Sequence, residues 1–290
     1  MFEKRPSVIW LLCLLLCLLT AGCRERMELD EGNAVYYWRT DLRLDSTERA
    51  FLKAYNINKV YCRYFDVVMD ESGEPMPNAT ITFNDTLPAG IEMIPTVYIT
   101  IDCLQKPHPG LAEKLVKRIQ QMNETNDIKG VREIQIDHDY TARNMKVYYQ
   151  FLKEIKQAWG GTLSTTIRLH QLSMEAPPVD YGALMIYNTG DPQKFTERNP
   201  ILDQRDVVPY MKYLDDYPLP MAAAYPVFSW LRIISGVEIT HTVEASEILQ
   251  VKRMVEQERK DLSHSVITYH LDKENINRYK PETYEEIYHH

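Results

Sequence analysis

"EIQIDHDYTARNMKVYYQFLKEIKQAWGGTLSTTIRLH", Glu133 to His170, contains a strand, a helix and a second strand in close succession. In Glu133–Asp139, Ile134 and Ile136 fall on one side and Gln135, Asp137 and Asp139 on the other, the period-two signature of a strand. From Asn144 the period changes. Met145, Tyr148, Leu152, Ile155 and Trp159 form one helical stripe that stops at Gly160-Gly161. Leu163–His170 then alternates again, Thr166, Arg168 and His170 against Ile167 and Leu169. The first strand puts two carboxylates in line on what should be its inward face, and that placement needs a physical reason.

The same alternation runs through the chain. Strand-like segments are Ala34–Thr40, Lys59–Val67, Glu92–Thr100, Glu133–Asp139, Leu163–His170, Gly182–Asn188, Leu219–Val227 and Ser265–Leu271. Amphipathic helical segments separate most of them. One opens with Asp45 and has Glu48 three residues on, a capping-box spacing. Another carries Leu111, Leu115, Ile119 and Met122 on one stripe, and a later one Ile248, Val251 and Val255. Eight strands with intervening helices predict a somewhat irregular (β/α)8 TIM-type barrel. The alternative is an open doubly wound sheet, but no glycine-rich phosphate loop follows the first strand. Two connections lack a helical period. Residues 70–88 are polar and suit a small hairpin in place of a helix, and residues 228–242 form a long apolar-rich connection.

The N-terminus carries a secretory signal. Lys4 and Arg5 precede an apolar run from Val8 to Leu19, too short for a comfortable membrane span, and "LTAGC" follows, Leu19 to Cys23. Small residues followed by cysteine resemble a bacterial lipoprotein signal, which implies cleavage before Cys23 and lipid on that residue. Thr20 stands where such signals more often have Leu. Residues 1–22 are thus the signal peptide, 23–33 a charged tether, and 34–290 a single barrel domain. The expected location is the bacterial cell envelope, lipid-anchored, at the outer membrane. The formal net charge of −8, with no basic stretch, argues against nucleic acid as a partner. Beyond Cys23 only Cys62 and Cys103 remain, which excludes a disulfide framework.

The polar phase of neighbouring strands converges at one end. Gln135, Asp137 and Asp139 share a phase on the fourth strand. On the second, Tyr61, Arg63 and Phe65 do, with Asp66 at its end. Thr96, Tyr98 and Thr100 face inward on the third, and Thr166, Arg168 and His170 on the fifth. Tyr187-Asn188 ends the sixth, and Trp230 lies in the long connection after the seventh. Catalytic barrels carry their chemistry at this C-terminal rim. Two readings stand side by side. In one, Asp137 and Asp139 are catalytic or ligand-binding carboxylates. Around them Asp66, Arg63, Tyr98, Arg168, His170, Tyr187, Asn188 and Trp230 form a substrate pocket. In the other, Asp137 pairs with Arg63 or Arg168 and simply fills the barrel. Unpaired burial would cost on the order of several kcal/mol per carboxylate, so partners are expected in both readings. His138 falls in the outward phase, and no metal-ligand spacing or nucleophile elbow occurs, so neither a metal nor a cofactor is expected.

"IQIDHDYT", "TTIRLHQL", "PPVDYGALMIYNTGD" and the early "YYWRT" and "VYCRYFDV" resemble a family of uncharacterised bacterial lipoproteins. That family carries a domain of unknown function related to glycoside-hydrolase-like barrels. The resemblance spans most of the mature chain and implies a barrel and a carbohydrate ligand. The fourth-strand stretch is also similar to the Asp-x-Asp-x-Glu ending of chitinase-like glycosidases, with Asp137 and Asp139 matching the two aspartates. Thr141 stands where that pattern has its acid glutamate. A glycosidase built on this chain would need another proton donor and a second carboxylate. Asp139, nearest the mouth, is the candidate acid, with Asp137 or Asp66 orienting it or serving as the second group. The alternative is a non-catalytic glycan-binding or envelope-assembly component.

Overall fold

The computed structural model describes residues 32–190, 197–234 and 237–289. The signal segment, Cys23 and nearly all of the tether lie outside these. Eight strands form a closed parallel barrel: β1 (Gly32–Tyr37), β3 (Ile57–Met69), β6 (Glu92–Ile99), β7 (Glu133–Asp137), β8 (Thr162–Arg168), β9 (Tyr181–Met185), β10 (Met221–Pro226) and β13 (Ser265–Tyr269). They follow one another in chain order around the barrel, and β1 pairs with both β13 and β3, which closes the ring. This is the (β/α)8 TIM barrel that the alternation predicts. β1 starts at Gly32, inside the stretch read as tether.

The outer layer follows the helical stripes. α1 (Ser46–Ala54) starts with the Asp45–Glu48 capping box, Glu48 N to Asp45 Oδ1 at 2.9 Å and Asp45 N to Glu48 Oε2 at 3.0 Å. α2 (Leu111–Thr125) and α3 (Met145–Trp159) bury most of their predicted stripes, with Met122, Met145 and Trp159 at the helix ends half-buried, and α3 stops at Gly160 in the left-handed region, φ 73°. α4 (Gln204–Met211) precedes β10, and α5 (Ala245–Glu258) precedes β13. α6 (Lys273–Ile276) and α7 (Pro281–Tyr288) follow it. Between β3 and β6 the helix is replaced by a hairpin. β4 (Pro75–Asn78) runs antiparallel to the end of β3, and the two-residue strands β2 (Asp41–Leu42) and β5 (Thr82–Phe83) pair beside it. The 228–242 connection is a second hairpin, β11 (Trp230–Ile234) against β12 (Val237–His241). Among the described residues no helix is long and apolar enough to cross a membrane.

The barrel interior is crossed by tyrosines. Tyr36 on β1 donates to Gln135 Oε1 on β7 at 2.8 Å, and the hydroxyls of Tyr61 on β3 and Tyr181 on β9 lie 3.0 Å apart. Ala183, Ala222 and Ala224, all buried on β9 and β10, leave room for these rings. Beneath them Glu133 accepts from Ser164 Oγ at 2.6 Å, with Lys59 Nζ at 4.0 Å. Burial pushes the Glu133 carboxyl above its ordinary range, against the pull of Ser164, Tyr181 and Lys59.

In two places the alternation breaks. A β-bulge between Arg63 and Phe65 turns Phe65 outward, where the Arg118 guanidinium lies 5.1 Å from its ring centroid, and turns Asp66 inward beside Tyr98. The shared inward phase of Tyr61, Arg63 and Phe65 therefore holds only as far as Arg63. β8 ends at Arg168, and residues 169–173 form a 3-10 helix, so His170 is not on a strand.

The raised carboxyl pKa sets the sign of a pH effect. Folding favours neutral Glu133, so the penalty is absent at pH values where the unfolded chain also protonates it. The penalty grows as pH rises through the unfolded and then the folded value. Glu133→Gln should therefore melt higher than wild type at pH 7, by roughly 2–4 °C for each ~1 kcal/mol recovered. Thermal unfolding across pH should show this gain vanishing below about pH 4, and a gain that persisted there would contradict the assignment.

Candidate functional site

Asp137 closes β7 at 4% exposure. Its Oδ1 accepts from Thr166 Oγ1 at 2.7 Å and from Arg168 Nη2 at 3.0 Å, both from β8. Its inward neighbour is therefore Arg168, not Arg63. Burial would lower the pKa of the Arg168 guanidinium, but the charges of Asp137 and Asp139 outweigh it and raise the value. Arg168 also reaches Met185 Sδ on β9.

Arg63 holds Asp66 in a two-point grip, Nε to Oδ1 at 2.8 Å and Nη2 to Oδ2, and lies 5.7 Å from the Trp38 ring centroid. The bulge makes this pair possible, because it brings residues three apart onto one face. Tyr98 is bracketed by the two acids: it pairs with Asp66 on one side and Asp137 on the other. Burial raises its phenol pKa, and the Asp137, Asp139 and Asp66 charges add to the shift.

Asp139 lies two residues beyond the end of β7. It is half-buried and makes no hydrogen bond or ion pair among the described residues. Its backbone is pinned on both sides. His138 is buried and outward, Nδ1 on Ile99 O at 2.8 Å and Nε2 facing Asn144 Nδ2 at 3.0 Å. Because the amide can only donate, Nε2 accepts and Nδ1 carries the proton. Burial lowers the His138 pKa and keeps the ring neutral. Tyr140 is also buried, and its carbonyl accepts from Gln171 Nε2 at 2.9 Å.

The other side of the mouth is aromatic. Tyr187 is buried just past β9, its ring 5.0 Å from Tyr269 and 5.9 Å from Phe228, and its hydroxyl has no partner among the described residues. Burial raises its phenol pKa strongly. Asn188 is exposed in the left-handed region, φ 54°, and lines a cavity of about 340 Å³ with Trp230 and Tyr269. His170, half-buried in its 3-10 helix, makes no hydrogen bond or ion pair with Asp137 or Arg168 among the described residues. The strand phase read for it therefore ends at Arg168. Sequence reasoning passed over Tyr269, which touches Tyr36, Trp38, Tyr187 and Phe228. Its place at the inward end of the eighth strand was the signal. Among the described residues no three His, Cys, Asp or Glu side chains gather as a metal site.

No protein-family model matches the chain, and no curated protein matches it in sequence. Solved structures do match in fold. A chitinase from Bacteroides thetaiotaomicron aligns over 90% of this chain and 98% of its own, at 12% identity and TM-score 0.60. The Bacillus cereus spore cortex-lytic enzyme SleL aligns over 90% of this chain and 74% of its own, at 14% identity and TM-score 0.57. A xylanase-A-amylase inhibitor protein aligns over 89% and 98%, at 10% identity and TM-score 0.52. At these identities the likeness is one of fold alone: the chain shares its (β/α)8 TIM barrel with these enzymes and with an inhibitor, so the fold does not fix the role.

Removing one member of the Asp137–Arg168 pair leaves the other buried without its counter-charge. Arg168→Met should destabilise the protein by about 3–5 kcal/mol in urea unfolding. Adding Asp137→Asn, which keeps an acceptor for Thr166 but no charge, should recover most of that loss. A double variant as unstable as the single one would show that charge compensation is not what holds this corner.

Proposed function

We propose that the barrel engages a carbohydrate at its C-terminal rim and hydrolyses it, with Asp139 as the proton donor. The observation that carries this is an asymmetry among three acids. Asp137 and Asp66 are each bonded to an arginine, while Asp139 makes no hydrogen bond or ion pair among the described residues and meets Arg168 only through its charge. A carboxyl that must give a proton to a glycosidic oxygen has to be free to meet it. Asp66, gripped at both oxygens by Arg63, is a poor second carboxylate. Asp137 keeps Oδ2 clear of hydrogen bonds among the described residues and is the better candidate to stabilise positive charge on the sugar.

One observation favours a second reading, a glycan-binding protein without turnover. Thr141 is exposed and its hydroxyl is 3.3 Å from Asn144 Oδ1, so it offers no acid where chitinase-like glycosidases have glutamate. We further propose that lipid on Cys23 holds the protein to a bacterial membrane, each buried CH2 contributing roughly 0.8 kcal/mol.

The full chain should be tested in detergent on aryl glycosides and a glycan panel. Asp139→Asn should reduce kcat by roughly 10²–10⁴-fold with an unchanged melting temperature. Turnover untouched by that substitution would remove the acid assignment, and binding without turnover would establish the second reading. Fed radiolabelled palmitate, cells should label the wild type, whereas Cys23→Ala should take up no label and leave the membrane fraction. Label retained by Cys23→Ala would exclude the anchor.

A further inference from the structure

Two cavities open on the same rim, next to each other. One, of about 340 Å³, lies over the exits of β9, β10 and β13 and is lined by Asn188, Phe228, Trp230, Tyr269 and the segment from His270 to Arg278. The other, of about 740 Å³, lies over the exits of β1 and β3, between Trp38, Arg63 and the start of α1. They meet at two contacts. The rings of Trp38 and Tyr269 lie 5.8 Å apart, and Arg39 Nη1 is 3.9 Å from Asp272 Oδ2. Each volume falls within the roughly 300–1,000 Å³ of small-molecule sites, so the pair has room for more than one sugar ring. The two hairpins, leaving from β3 and β10, rise on either side and carry exposed apolar residues, Met76 at 42% and Leu231 at 61%.

The electrostatics of this trough select the ligand. Arg39 is occupied by Glu48 at 2.7 Å, and Arg63 by Asp66. In the smaller cavity Asp272 and Glu274 outnumber the single cation, Arg278, which donates to Ser229 Oγ at 2.8 Å. Burial pushes His270 toward its neutral form. A uronate or phosphate would therefore meet Asp272 and Glu274 in the smaller cavity. In the larger it would meet arginines that each lie beside a carboxylate, Arg39 on Glu48, Arg63 on Asp66 and Arg43 3.8 Å from Asp41. Arg278 is the one cation of the trough without an ion pair among the described residues. The half-buried faces of Trp38, Trp230 and Tyr269 suit the apolar faces of sugar rings, with hydroxyl partners at their edges.

We infer that this trough binds a linear, non-anionic glycan of several residues, laid across the Trp38–Tyr269 contact. The inference rests on the carbohydrate reading above and adds chain length and charge class to it. The full-length protein is titrated calorimetrically with di- and hexasaccharides of chitin, mannan and cellulose, and with hexagalacturonate. A neutral hexasaccharide should bind roughly tenfold or more tighter than its disaccharide. Trp230→Ala should erase that gain and Trp230→Phe should keep part of it. Hexagalacturonate should bind at least ~10-fold more weakly than the neutral hexasaccharide. Equal affinity for di- and hexasaccharide, a length gain that survives Trp230→Ala, or tight binding of the acidic oligomer would overturn the trough while leaving the carbohydrate reading in place. No glycan bound at all would overturn both.

Discussion

A closed barrel leaves water almost no entry to its axis, so a polar side chain pointed inward depends on a partner from another strand, and among the described residues the Tyr187 hydroxyl at the mouth is an exception. That constraint organises this protein. Tyr36 reaches across to Gln135, Tyr61 to Tyr181, and Asp137 to Thr166 and Arg168. A buried amide or hydroxyl without a partner is destabilising by about 1–3 kcal/mol, and a buried charge by more. The inward face therefore cannot be rearranged one residue at a time. The small side chains of β9 and β10 belong to the same solution, because without Ala183, Ala222 and Ala224 the tyrosines could not cross.

The aspartates posed by the fourth strand are answered in two ways. Asp137 lies at the depth where water is excluded, and a cation from the adjacent strand compensates it. Asp139 lies beyond the strand end, where the chain has begun to turn and solvent reaches the side chain. Two residues along one chain thus separate a structural charge from an available one. What fixes the second is packing rather than pairing. His138 is tied to Ile99 and Asn144, and Tyr140 to Gln171, so the loop is held by its buried neighbours while the carboxylate between them is left open.

Much of this was legible from side-chain periods. Strand number, the helical stripes, the Asp45–Glu48 cap and the hairpin after the second strand depend on local pattern, and local pattern is what a single sequence displays. The misreadings occur where backbone geometry departs from the period. The bulge at Tyr64 inserts one residue and so reverses Phe65 and Asp66, and "CRYFDV" does not mark it, since each phase carries one aromatic and one charged residue there. His170 fits the strand alternation, but the chain turns into a 3-10 helix directly after Arg168, with Gln171 Oε1 accepting from Arg168 N at 2.8 Å. Which arginine meets which aspartate was also undetermined, because two inward arginines satisfied the same charge requirement until strand register chose between them.

The bulge links this loss of legibility to the chemistry of the site. Regular alternation would have placed Phe65 inward at the mouth, and Asp66 out among the helices, away from Arg63. By shifting phase once, the second strand exchanges an aromatic for a carboxylate on the rim and supplies its counter-ion from the same turn of chain. Arg63 is then neutralised before any ligand arrives, and its guanidinium is free to lie near the indole of Trp38. Charge at the mouth is settled strand by strand in this way: among the described residues Asp139 is left without an ion pair on the β7 side, and Glu274 and Arg278 without one beside the aromatic residues of the β1 and β13 side. The neutral, hydroxyl-rich polymer proposed above would displace none of these ion pairs, whereas an acidic one would face Asp139, Asp272 and Glu274.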